Sequence, residues 1–200
     1  MIRSGKIGDL HILRITSRDP APPPPAFIKS SGGLFLDMTI HDFDMTRFLS
    51  GSEVVEVYAV GDVMVDPIFS KYGDIDTAII TLKLASGVLA TIDNSRRAVY
   101  GYDQRVEIFG SGGMATIANN PPNMTTYSNA RGVVTSKPTD FFLERYLDAY
   151  AAEMSAFVEA ILDDKPIAVT ATDSRIAAVI AMAANKSLRE HRPVKLSEIK

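Results

Sequence analysis

The run Ile75-Asp76-Thr77-Ala78-Ile79-Ile80-Thr81-Leu82-Lys83-Leu84-Ala85-Ser86-Gly87-Val88-Leu89-Ala90-Thr91-Ile92 decides the architecture. Residues 75–84 read as a strand, and Ser86-Gly87 is a tight turn that sends the chain straight back into a second strand over 88–92. On the N-terminal side, residues 54–65 read as a further strand. On the C-terminal side, residues 105–109 and 114–117 form another pair, joined by Gly110-Ser111-Gly112-Gly113. An earlier strand over 10–16 and two short ones near 124–127 and 133–135 complete the set. Strands that follow one another through short turns predict a mainly antiparallel sheet.

Helical patterns flank this β section. Leu36, Ile40, Phe43, Met45, Phe48 and Leu49 form an apolar stripe that Ser50-Gly51-Ser52 stops. In the tail, Leu143, Leu147, Tyr150, Met154, Phe157, Val158 and Ile161 predict a helix over 141–162, ended by Asp163-Asp164-Lys165-Pro166. Thr172 is the expected N-cap of an alanine-rich helix over 176–188 that stops before Pro193. Residues 20–33 are rich in proline and glycine and read as a loop crossing the surface; a Pro-rich ligand for an SH3-type domain is the alternative. The expectation is a single α+β domain over 1–200: one large, mainly antiparallel, open-faced sheet with helices on one face.

Composition narrows the function. Apolar residues are 46% and charged residues 22% of 200, a globular balance. A net charge of −3 supplies no basic field for nucleic acid or an anionic membrane. With no cysteine there is neither a disulfide framework nor a thiolate metal site, which fits a reducing, cytoplasmic setting. No apolar run reaches the length of a membrane span.

Polar chemistry is densest in Gly32-Gly33-Leu34-Phe35-Leu36-Asp37-Met38-Thr39-Ile40-His41-Asp42-Phe43-Asp44. On one continuous helix Asp37 and His41 share a face, with Asp44 further along it. An aspartate beside a histidine favours the imidazolium and can orient the ring, and such a histidine can take a proton from an alcohol. Two other readings stay open: Asp37 as a helix cap with Asp42 and Asp44 solvated and His41 an ordinary helix residue, or Asp37, His41 and Asp44 as metal ligands of a hydrolase. No metal is expected.

The spacing Gly-Gly-x-x-x-Asp-x-x-x-His-x-x-Asp, between a proline-containing loop and a long antiparallel sheet, resembles the Gfo/Idh/MocA oxidoreductase family. The wording Gly33 to Asp44 is similar to its myo-inositol 2-dehydrogenases, as is Ser95-Arg96-Arg97-Ala98-Val99-Tyr100-Gly101-Tyr102-Asp103-Gln104-Arg105. The resemblance implies an NAD-dependent dehydrogenase of myo-inositol or a related polyol or sugar. By it, Asp37 and His41 are catalytic, with His41 the general base, and Thr39, Tyr100 and Tyr102 meet the substrate; packing at a sheet edge is the plain alternative for the tyrosines. It also implies a homodimer or homotetramer through the uncovered sheet face.

Full-length family members carry a Rossmann domain and a Glu-Lys-Pro lysine that these residues lack, so cofactor-binding residues are unassigned and this chain alone is expected to be inactive. A non-catalytic scaffold or a polyol-binding module is the alternative. The choice between NAD and NADP lies outside this sequence. Gly110-Ser111-Gly112-Gly113-Met114-Ala115 fits a dinucleotide fingerprint, but Thr116-Ile117 continues as strand, so a hairpin turn is expected.

Overall fold

A computed structural model describes residues 1–199. The chain runs β1 (Leu10–Arg18), α1 (Pro25–Ser30), α2 (Leu34–Asp37), α3 (Thr39–Ser50), β2 (Val54–Asp62), α4 (Ile68–Lys71), β3 (Thr77–Leu84), β4 (Leu89–Ser95), β5 (Asp103–Gly110) and β6 (Gly113–Ile117). It continues with β7 (Thr126–Asn129), β8 (Gly132–Thr135), α5 (Phe142–Arg145), α6 (Leu147–Leu162), α7 (Ala171–Glu190) and β9 (Val194–Lys195). The fold is α+β. Seven strands form one sheet in the order β6-β5-β1-β4-β3-β2-β9, and β7 and β8 pair separately. Every pairing in the large sheet is antiparallel except β1 with β4.

Strand alternation gives the sheet two faces. Leu13, Ile15, Val57, Ala59, Ile80, Leu82, Ala90 and Ile92 point inward and are buried beneath α3 and α7. The opposite face exposes Tyr58, Val60, Ile79, Leu89, Phe109 and Met114. α7 can lie close to the sheet because its inner side is small: Ala177, Ala181, Ala183 and Ala184 are buried along with Ile180. Among the described residues, no helix is long and apolar enough to cross a membrane.

Several sequence expectations need correction. The Pro-rich segment is not all loop: Pro25 opens α1, since proline's missing N–H costs nothing in a first helical turn, and Ile28 is buried. The stripe through Leu49 is not one helix, because the backbone departs from helical geometry at Met38 (φ −109°, ψ −60°) between α2 and α3. The 141–162 helix is likewise divided, at Tyr146. Thr170, not Thr172, opens α7: its N–H and its hydroxyl both donate to Asp173 Oδ2 at 2.8 Å. β9 was not expected from the sequence; two residues are too few to leave a pattern.

Candidate active site

Gly33, at φ +89°, hands the chain into α2, whose Leu34 N–H donates to Asp74 Oδ1 at 3.0 Å. A side chain at Gly33 would close on that same carboxylate, so glycine is required here on two counts. α2 lasts one turn and delivers Asp37 to Arg96, in the segment after β4. The guanidinium bridges Asp37 through Nη2 and Asp19, just past β1, through Nη1 at 2.9 Å. Its side chain is only 5% exposed, so this is one buried cation between two carboxylates. Burial pushes the Asp19 carboxyl up from its ordinary value, and the bond and charge of Arg96 oppose that rise. Among the described residues, Arg96 Nε is buried without a partner.

His41 sits in the first turn of α3, exposed, and among the described residues its imidazole has no hydrogen-bond partner. Asp37 and His41 are therefore not on one continuous helix; they lie either side of the Met38 break. Asp44 points to Arg47, at 3.2 Å. Among the described residues, no three His, Asp or Glu side chains gather as a metal site.

Beneath His41 the body holds a buried polar network. Thr39 Oγ1 donates to Asn94 Oδ1 at 2.6 Å, and Asn94 Nδ2 donates to Asp42 Oδ2 at 2.9 Å. Ser17 Oγ lies 2.6 Å from Asp42 Oδ1 and 2.9 Å from Gln104 Oε1. Ser17 has a single proton and both neighbours are acceptors. The count closes if Asp42 is protonated and donates to Ser17, or if the Gln104 amide is turned. Burial pushes the Asp42 carboxyl up to about 7, against the bonds from Ser17 and Asn94. Asp42 is thus a core residue, not a solvated one.

The expected substrate contacts separate. Thr39 is completely buried and its hydroxyl is spent on Asn94, which leaves it no reach to a ligand. Tyr100 is partnered on the uncovered face: its hydroxyl donates to Asp103 Oδ2 at 2.6 Å and accepts from Arg18 Nη1 at 3.1 Å. It is therefore not gathered with Asp37 and His41. Tyr102 lies on the covered side, within electrostatic reach of Asp19 and Asp42. Its ring packs edge-on to Phe141 and Tyr146, with centroids 5.7 and 6.3 Å away, and burial raises its hydroxyl's pKa, with Tyr146, Asp19 and Asp42 adding to the rise. Arg145, which donates to the Gln104 carbonyl at 2.7 Å, closes this side.

Sequence reasoning passed over Asp19, Ser17, Asn94, Gln104 and Tyr146. Asn94 left a trace, since asparagine is out of place in a β-branched strand. The others left none, because their partners are remote in the chain.

The Gly110 turn does not fit a dinucleotide's phosphates. It joins β5 to β6 with no helix behind it, and its amides are spent: Ser111 N–H on the Asp9 carbonyl at 2.9 Å, Gly112 N–H on Ile7 at 2.8 Å. A side chain at Gly110 would meet the Asp9 and Ile7 carbonyls, so its glycine serves packing.

The chain is similar to proteins of known activity and structure. A myo-inositol 2-dehydrogenase of Thermotoga maritima is 50% identical over 198 residues, 99% of this chain and 59% of that protein. An inositol 2-dehydrogenase of Rhizobium meliloti is 44% identical over 196 residues, again with 59% of that protein covered. The crystal structure of scyllo-inositol dehydrogenase from Lactobacillus casei, with bound NAD(H) and scyllo-inositol, matches at TM-score 0.89 and 34% identity, over 98% of this chain and 59% of that one. The chain spans about three-fifths of each of these proteins. The family model of the GFO/IDH/MocA C-terminal domain matches residues 1–116, more than half of the chain, and the chain belongs to that oxidoreductase family.

Proposed function

We propose that this chain is the substrate-binding part of an NAD-dependent dehydrogenase of myo-inositol or a related cyclic polyol. The observation that carries this is the exposed imidazole of His41, unpartnered among the described residues, one break in the helix beyond an Asp37–Arg96–Asp19 cluster. In alcohol oxidation a hydroxyl proton must leave as the carbon is oxidised. His41 accepts that proton, Asp37 orients the hydroxyls, and Arg96 holds Asp37 in place. Tyr102, on the covered side of the sheet, offers its hydroxyl to the polyol. An excess of carboxylate over guanidinium suits a neutral polyol better than an anion. NAD enters as the family's hydride acceptor; no residue of this chain is assigned to it.

The spent amides of the Gly110 turn favour a second reading, in which these residues alone bind polyol without turning it over. The uncovered sheet face, with Val60, Ile79, Leu89 and Phe109 exposed, serves self-association into a dimer or tetramer in a cytoplasmic enzyme.

Calorimetric titration with myo-inositol and with NAD⁺, alongside an assay for NADH, tests the proposal. Inositol heat that disappears in His41→Ala supports it. Inositol binding untouched by His41→Ala removes His41 from the site, and NADH formation by these residues alone overturns the second reading.

A further inference from the structure

α3 begins without a side-chain cap at Met38, and the local ties on its first turn are long: His41 N–H to the Met38 carbonyl and Thr39 Oγ1 to the Leu34 carbonyl, both at 3.4 Å. What holds it comes from the sheet. Asn94 accepts from Thr39 Oγ1 and donates to Asp42 Oδ2, and these two residues bracket His41. Three apart on a helix, Thr39 and Asp42 share the inward side, which leaves His41 on the outward side, where it is exposed. A second tie runs from Ser17 to Asp42. Ser17 and Asn94 are register partners on β1 and β4, the parallel pair at the centre of the sheet. The turn that carries His41 is thus anchored on two neighbouring strands.

We propose that Asn94 is a positioning residue for His41, acting through Thr39 and Asp42 as a clamp on the first turn of α3. This rests on the reading of His41 given above.

Stability alone does not ask for this clamp. Thr39, Asp42, Asn94 and Ser17 are all at most 5% exposed, beside an apolar core of Ile, Leu, Val, Ala, Phe and Met. Replacing all the partners of a buried polar network by apolar groups of the same shape is commonly neutral or stabilising. What an apolar replacement cannot supply is direction. Asn94 presents an acceptor to Thr39 and an amide N–H to Asp42 in one plane, its second N–H facing the Ser17 carbonyl at 3.4 Å, and only one placement of the Thr39–Asp42 turn satisfies the first two. The high pKa of Asp42 is the cost of placing a carboxyl there.

The donor–acceptor sense permits a swap. In Asn94→Asp a carboxyl faces the Asp42 carboxyl and the donor is lost. In Asn94→Asp with Asp42→Asn the pair is restored in reverse: Asn at 42 donates to Asp at 94, which still accepts from Thr39. The chain has only three histidines, so the His41 imidazole Cε1–H signal is assignable in NMR by its loss in His41→Ala.

The clamp predicts that Asn94→Asp shifts or broadens the His41 signal and raises the Kd for myo-inositol about tenfold, the scale of leaving a buried partner unmet. The double variant recovers both. If Asn94→Asp fails to fold, Thr39→Val, which has the same shape and removes one bond, must move the same signal. The proposal is overturned if Asn94→Asp folds and leaves signal and Kd at their native values, if the double variant folds but stays as impaired as the single one, or if Thr39→Val leaves the signal unmoved. The NMR signal reports on the clamp even if His41→Ala leaves inositol binding intact, an outcome that fails the reading of His41 and not the clamp.

Discussion

α6 and α7 are neighbours in sequence and share an apolar stripe at helical spacing, yet they have opposite fates in the fold. α7 buries Ala177, Ile180, Ala181, Ala183 and Ala184 against the sheet and α3. α6 buries only Ala160, while Leu147, Met154 and Ile161 remain 65%, 63% and 63% exposed. The difference lies in side-chain size as well as place. Alanines let α7 settle close to β2, whereas the large side chains of α6 stand out from a segment tied to the body near Tyr102, Phe141 and Arg145. An amphipathic pattern says that a helix will form; it does not say what the apolar side will meet.

This contrast makes predictions of graded size. The largest effect belongs to Arg96→Met, which strands Asp19 and Asp37 in the body and should cost about 3–5 kcal/mol of unfolding free energy in urea titration. A loss under about 1 kcal/mol would mean the cluster is far wetter than its burial indicates. Ile180→Ala should cost about 2–5 kcal/mol, because α7 cannot collapse into the space left between sheet and α3.

A pH dependence comes next. Asp42 has a folded-state pKa raised to about 7 from an ordinary 3.8. The folded protein therefore holds a proton that the unfolded chain has released. Asp42's contribution is fully present below about pH 4 and is lost as pH rises towards about 7, at up to about 1.4 kcal/mol per pH unit. Asp42→Asn should remove that slope; identical slopes in the two proteins would show that Asp42 is ionised throughout.

Phe157→Ala in α6 should sit at the small end, within about 0.5 kcal/mol, since Phe157 is half exposed. Amide exchange should run faster in α6 than in α7. A large destabilisation by Phe157→Ala would break the comparison and show that the apolar side of α6 is covered in solution.

Much of the fold was legible from local pattern. The Ser86-Gly87 turn, the strands on either side of it and the hairpin at Gly110 follow from residues adjacent in sequence. The helix break at Met38 was not legible. Thr39 is drawn to Asn94 and Leu34 to Asp74, and both partners lie far along the chain. At the candidate site, the spacing of Asp37 and His41 assumed a continuous helix, where the chain instead breaks at Met38. Tyr100 and Tyr102 are two residues apart, and the sheet sends one hydroxyl to each side. No periodicity distinguishes them in an irregular segment.

By itself, the sequence determined the α+β class, the open-faced sheet, the short turns and the segment that holds His41, all of which depend on contacts within a turn or a strand pair. Only the tertiary structure decided that β1 lies parallel to β4, that Arg96 joins Asp19 to Asp37, and that Asp42 is buried on Ser17 and Asn94. Those contacts join residues 25 to 77 positions apart. Their energies come from desolvation and pairing in a shared core, and such energies exist only once the strands have been brought together.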